Sequence, residues 1–356
     1  MYFESMAEVR LQRVQFSQNL IQEYTSGNSA LSFYLYDCAQ AKAEEITISG
    51  YDIHDGNGVT PFMIVHYTAT FAAPKLDFKL TQSRVENNTS DSEIVSGLLA
   101  VDYSEKMDLL IEDCDILNNT LTSTKRSSAF FVPVNVKNAT FRNLNFVGNR
   151  NESNTKLIFD AYSTSTIVFE SCTFRQNQLR SAMLVAENAL SFSIEGSTFH
   201  DNTSAGSMIE VTLLDKNIDP SNSIINTNFT ENTIGLHLMS VMSSISVDSF
   251  TAIIQGCSLT NNSLMNPENG MYHSLLFLDN VSEATITSNS WKSNTMNSDQ
   301  LNTRVGGSLI SITGSAGVMG NHQASNNTFE QNTCSYGCVS LSGTKLEEVE
   351  SRFLKN

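Results

Sequence analysis

One stretch of this chain is dense in carboxylates. Asp102, Glu105, Asp108, Glu112, Asp113 and Asp115 crowd together, with Asp77, Glu86, Asp91 and Glu93 shortly before them. Two carboxyl groups facing one glycosidic bond can divide general acid and general base work. Several carboxylate oxygens can instead hold calcium against an acidic substrate. The spacing here favours neither chemistry, because the acids are scattered over strand-like and loop-like residues. The plainer reading is solvated surface charge.

Other reactive residues are dispersed in the same way. The histidines, His54, His66, His200, His237, His273 and His322, never fall at a metal-binding interval such as His-x-x-x-His. Cys114, Cys172 and Cys257 are far apart and read as small buried thiols. Cys334 and Cys338, in NTCSYGC, are close enough for a local disulfide or a metal. No second ligand pair accompanies them, so the metal is the poorer fit. No Ser-centred elbow or phosphate loop is present. No catalytic residue, metal or cofactor is therefore expected.

Composition narrows the class. The chain has 356 residues, 16% of them charged, with a net charge of −16. It offers no basic stripe to nucleic acid or anionic lipid. No apolar run reaches transmembrane length, and no direct membrane span is expected. Asn, Ser and Thr are abundant. The N-terminus lacks a basic segment followed by an apolar one, so no signal peptide is visible.

A repeated phrase explains most of the conspicuous residues. ESCTFRQN, EGSTFHDN, NTNFTEN and QGCSLTNN share an apolar residue followed three positions later by Asn. With the apolar residue as position zero, the pairs are Phe16/Asn19, Val85/Asn88, Ile116/Asn119, Phe146/Asn149, Phe174/Asn177 and Phe199/Asn202. Phe229/Asn232, Leu259/Asn262, Trp291/Asn294, Phe329/Asn332 and Phe353/Asn356 continue the series. Ile53 fits loosely, with Gly56 and Asn57 in place of the Asn, which puts the phrase HDGNG on the repeat's own turn. The mean period is about 31 residues. Apolar residues recur at −5, and residues that tolerate a bend recur at −3. A second apolar burst follows each Asn, as in SAMLVA, GSMIEV and HSLLFL.

Each unit reads as strand, bend, strand, turn at Asn, strand and loop, with almost no helical periodicity. Such a unit cannot bury its apolar side alone, but stacked on copies of itself it encloses a continuous core. The expected fold is all-β: a right-handed parallel β-helix, a solenoid of about twelve coils of about 30 residues, forming one domain over 1–356. Asn19, Asn88, Asn119, Asn149, Asn177, Asn202, Asn232, Asn262, Asn294 and Asn332 are expected to form a ladder of turn residues, suited by their tolerance of left-handed backbone and by amide-to-amide bonding.

The Phe-x-x-Asn phrase, alternating with a Gly-Gly-Ala-Ile-like phrase best preserved in VGGSLIS (Val305 to Ser311), resembles the polymorphic outer-membrane-protein repeat. That repeat occurs in bacterial surface adhesins and in large surface proteins of protists. The resemblance implies a pectin-lyase-like β-helix serving adhesion or an extracellular scaffold. The same architecture hosts pectin-degrading enzymes, but the Asn-Thr-Asp, Gly-His-Gly and Arg-Ile-Lys phrases of the hydrolases are missing. A carbohydrate-binding or carbohydrate-cleaving β-helix is the alternative reading.

Function is then expected in the loops that interrupt the repeat: Glu86 to Glu93, Arg150 to Thr155, Leu213 to Asn222, Leu264 to His273 and Thr295 to Arg304. Among ten Asn-x-Ser/Thr sequons, Asn151 and Asn280 are expected to be the most accessible to glycosylation. The chain starts and stops inside repeats without a cap helix. This implies a segment of a longer polypeptide, or a subunit self-associating through its ends to form filaments. The expected partners are proteins or glycans, at a cell surface or outside the cell.

Overall fold

In a computed structural model, the described residues are 1–17, 20–22, 33–36, 38–54, 63–66, 76–90, 99–102, 107–122, 131–133, 136–151, 159–162, 166–213, 221–243, 250–264, 273–296, 307–314, 320–334, 337–354 and 356. Among them there is no helix, and the strands pair in parallel. Chain contacts divide the protein into two compact units, Met1–Ala186 and Glu187–Asn356. Each is a right-handed parallel β-helix.

Both units use the same coil, which contributes one short strand to each of four sheets, A to D. In the first unit, Asn138–Arg142 lies in sheet B, Asn145–Val147 in sheet C, Arg150–Asn151 in sheet D and Phe159–Tyr162 in sheet A. In the second, Ser221–Ile225, Asn228–Thr230, Thr233–Ile234 and His237–Ser243 occupy the same four places. Side chains alternate along each strand, so Thr166–Glu170 buries Ile167 and Phe169 and turns its other side chains outward.

Register keeps like residues over like. Ile116 pairs with Phe146 and Phe146 with Phe174 in the first unit. In the second, Phe199, Phe229, Leu259, Trp291 and Phe329 follow one another from strand to strand. Phe141 stacks on Phe169 with ring centroids 4.7 Å apart, and Phe199 on Phe229 at 4.9 Å. Each fully buried Phe contributes roughly 2–3 kcal/mol of burial free energy. No single coil can realise it alone.

Two expectations change at the corners. The left-handed residue at the turn from sheet C to sheet D is the one before the ladder asparagine. Asn87, Asn118, Gly148, Gln176, Asp201, Glu231, Asn261, Ser293 and Gln331 have φ between 53 and 67°, whereas the described ladder asparagines do not. The ladder position therefore selects Asn for its amide, and backbone tolerance is supplied one residue earlier. Ile53, expected in the zero column, is instead a sheet D residue opposite Ser90. Ile48 sits opposite Phe16 and Val85, so Gly50 (φ 69°) is the corner residue and Tyr51 takes the asparagine's place. The zero-column residue of this coil therefore lies five positions before Ile53.

Gly148 has φ 67°, and a Cβ there would run into Oδ1 of Asn118 in the preceding coil. Replacing Gly148 by Ala is expected to lower unfolding free energy by about 1–2 kcal/mol in urea titration, while Asn118→Gly, at the equivalent corner position with φ 53°, leaves it nearly unchanged.

Candidate functional site

Turning the chain at the sheet C to D corner buries polar backbone groups that no strand can serve. The ladder asparagines serve them. In the first unit, Nδ2 of Asn88, Asn119 and Asn149 donates to Oδ1 of the next asparagine, Asn119, Asn149 and Asn177, at 2.8, 3.0 and 3.1 Å. The same oxygens accept the backbone N–H of Asn88, Asn119 and Asn149 at 3.0–3.2 Å. The second Nδ2 proton of Asn119, Asn149 and Asn177 goes to the zero-position carbonyl of the preceding coil, on Val85, Ile116 and Phe146. The second unit repeats the pattern through Asn202, Asn232, Asn262, Asn294 and Asn332, each amide-to-amide bond being 3.0 Å. These asparagines are at most 4% exposed. Tyr51 lacks a side-chain amide, and its backbone N–H donates to Oδ1 of Asn88 at 3.0 Å. Asn19 lies outside the described residues.

The sheet B to C corner repeats the device with shorter side chains. Sγ of Cys114 donates to Glu112 O and Leu80 O, Cys172 to Glu170 O and Phe141 O, and Cys257 to Gln255 O and Ile224 O. Ser83, Ser197, Thr227, Asn289 and Asn327 hold equivalent places with hydroxyl or amide groups. Burial pushes the three thiols up, to about 12 for Cys114 and about 11 for Cys172 and Cys257. They are protonated, internal and unreactive.

The acidic stretch becomes an outer face of the first unit. Asp108, Glu112, Asp113 and Asp115 are each bonded to the coil above. Asn138 Nδ2 donates to Asp108 at 2.6 Å, Asn143 to Asp113 at 3.0 Å and Asn145 to Asp115 at 2.8 Å. Arg142 bridges Glu112 (3.1 Å) and Glu170 (2.6 Å), and these two glutamates hold its guanidinium above the usual range. Glu86 pairs instead with Arg84 at 2.8 Å. Glu105, Asp91 and Glu93 lie outside the described residues. Glu170, Arg142 and the three asparagines were absent from the expected cluster, because a partner about 30 residues away is visible only once register is known.

The histidines split by location. His237 is buried on sheet A of the second unit, stacked on Phe277 (centroids 4.4 Å) with Nδ1 at 3.1 Å from Ser274 Oγ. Burial and then nearby His273 push it down to about 4, against a hydrogen bond with Ser274. His273 is 2% exposed, with the backbone of Gly235 and Leu236 beside it but no well-aligned partner for either ring nitrogen. Burial also lowers His273 and His322. Glu210 moves the other way, raised by burial and then by Glu187. Sequence reasoning missed this group, because a histidine opening an apolar burst carries no signal that it is buried.

The sequon expectation needs correction. Asn151 is only 2% exposed, because it is the inward residue of the two-residue strand Arg150–Asn151. Asn280 is half-buried, its Nδ2 donating to Ser243 O at 3.0 Å. Asn87, Asn118, Asn228, Asn261 and Asn326 are the exposed sequon asparagines. The interrupting loops fall largely outside the described residues. Among the described residues, no cluster of three or more His, Cys, Asp or Glu is arranged to hold a metal, and no helix is long and apolar enough to cross a membrane.

No protein-family model and no curated protein matches the chain. Among solved structures, the Streptococcus pneumoniae surface protein and adhesin PfbA superimposes with a TM-score of 0.26 and 10% identity, over 90% of this chain and 92% of that one. A superposition this loose carries no argument, and the fold rests on the strand pairing.

Two outcomes follow from the geometry. Asn232→Ala strands the buried N–H groups of Asn202 and the carbonyl of Phe199, and is expected to cost about 2–4 kcal/mol in urea unfolding, against almost nothing for outward-facing Asn228→Ala. The lowered His237 binds its proton more weakly folded than unfolded. Its contribution is therefore constant above about pH 6.5, falls as pH drops toward about 4, and levels off below that, for a total of about 3 kcal/mol. Glu210 has the opposite sign, so the measurement is the difference between wild type and His237→Phe across that pH range.

Proposed function

We propose that the chain is a non-enzymatic scaffold of a cell surface or extracellular layer, presenting its outer columns and corners to a protein or glycan partner. The observation that carries this reading is that the residues best suited to chemistry are engaged between coils. Asp108, Asp113 and Asp115 each accept from an asparagine one coil on, and Glu112 and Glu170 share Arg142. Further support comes from the resemblance to the polymorphic surface-protein repeat. The outer face of sheet D in the second unit is also uncharged, with Thr203, Thr233, Ser263, Thr295 and Thr333 one above another.

Labelling intact source cells with a membrane-impermeant amine reagent tests the location: the protein is expected among the labelled surface or secreted fraction, and its retention inside would overturn the reading. Where the chain passes through a pathway that builds N-glycans, peptide mapping is expected to find them at the exposed sequons Asn87, Asn118, Asn228, Asn261 or Asn326, and none at buried Asn151.

The second reading, a carbohydrate-cleaving β-helix, is favoured by one observation: Glu112, Glu170 and Arg142 lie together on a lateral face. Incubation with acidic and neutral polysaccharides, with and without calcium, is expected to release no reducing ends. Cleavage that disappears in Glu170→Gln would install the enzyme reading instead.

A further inference from the structure

Cys334 ends the strand Thr333–Cys334, and Cys338 immediately precedes the strand Val339–Ser342. Their sulfurs are 2.9 Å apart, inside the contact distance of two unbonded sulfurs but outside the roughly 2.05 Å of a disulfide. Neither residue depends on the connecting tripeptide for its position. Thr333 and Cys334 pair with Thr295 and Met296 of the preceding coil. The carbonyl of Cys338 accepts the N–H groups of Leu309 and Ile310, both at 3.0 Å. Sheet hydrogen bonds on both sides therefore hold the sulfurs against each other, and a small side-chain rotation would join them.

The place is also one where a covalent link has work to do. Gly307–Thr313 is buried along nearly its whole length, whereas Val339–Ser342 is half-buried at its first two residues and exposed at its last two. One coil earlier the place of Cys334 is held by buried Met296. The other four cysteines are each bonded to backbone carbonyls.

We propose that Cys334 and Cys338 form a reversible disulfide that clamps the corner between sheets D and A. Two S–H bonds break and one S–S bond forms. The two electrons and two protons pass to a small-molecule or protein disulfide, which leaves as two thiols. The exchange proceeds through a mixed disulfide on one cysteine, from which the other displaces the remaining thiol of the oxidant. Burial and the neighbouring sulfur raise Cys334 well above an ordinary thiol, so closure is slow at neutral pH and accelerates with rising pH. This geometry stands whether or not the surface reading is correct.

The test equilibrates the full chain in reduced or oxidised glutathione, quenches with N-ethylmaleimide and maps the peptides. Oxidised protein is expected to be about 2 Da lighter, with Cys334 and Cys338 unlabelled and linked, and to open again in reduced glutathione. Labelling of both residues after oxidation, or a lasting glutathione adduct on either, would overturn the proposal. Cys334→Ser should instead trap such an adduct on Cys338, and its absence from folded variant counts against the exchange route. Amide exchange on wild type needs no variant: protection of Val339–Ser342 is expected to rise roughly tenfold on oxidation, and unchanged protection would remove the clamp.

Discussion

A chain that turns sharply inside a core must find partners for the backbone groups it strands there. That constraint organises this protein. At each described sheet C to D corner a left-handed residue swings the chain round and leaves an N–H and a zero-position carbonyl facing the interior. An unpaired buried amide costs more than most single contacts can return. Asn is long enough to reach the neighbouring coil, with two donors and one strong acceptor on a flat group. Asn149 receives from Asn119 and gives to Asn177 and Ile116. Each coil is thereby completed by the next, and apolar stacks such as Phe146 on Phe174 come into register as a result.

At the other buried corner most coils meet the same need with different residues, while Ile46 and Leu144 hold the place with aliphatic side chains. Cysteine, serine, threonine and asparagine all serve there, since each can donate to a carbonyl. A thiol placed so is a structural donor with its nucleophilicity removed, as the raised values at Cys114, Cys172 and Cys257 express. On the outer face, Arg142 and the asparagines at 138, 143 and 145 do for carboxylates what the ladder does for backbone.

Much of this was legible in the sequence, and the reasons for the rest are physical. A period repeated down the chain is a property of the architecture, so Phe174 and Asn177 announced both the fold and their own columns. Positions relative to a motif are less secure. Ile48 and Ile53 are both apolar and flanked by turn residues, and only strand pairing tells which one stacks on Val85. Asn151 reads as an exposed sequon because a two-residue strand is too short to show alternation. The partners of Glu112 are a coil away in either direction, so no local window contains them. The burial of His237 and His273 in the second unit is not encoded by the repeat.

The ladder also bears on chemical durability. Asparagine ages when the backbone nitrogen of the following residue attacks its side-chain carbonyl and closes a succinimide. For the exposed corner asparagines at 87, 118 and 261 that nitrogen belongs to a ladder residue, and it is buried and bonded to the amide oxygen of the next coil at 3.2, 3.0 and 3.0 Å. The attacking atom is held away from its target for as long as the coils stay stacked. A protein rich in asparagine, displayed on its most exposed turns, thus keeps those residues intact through the same bonds that hold its coils together.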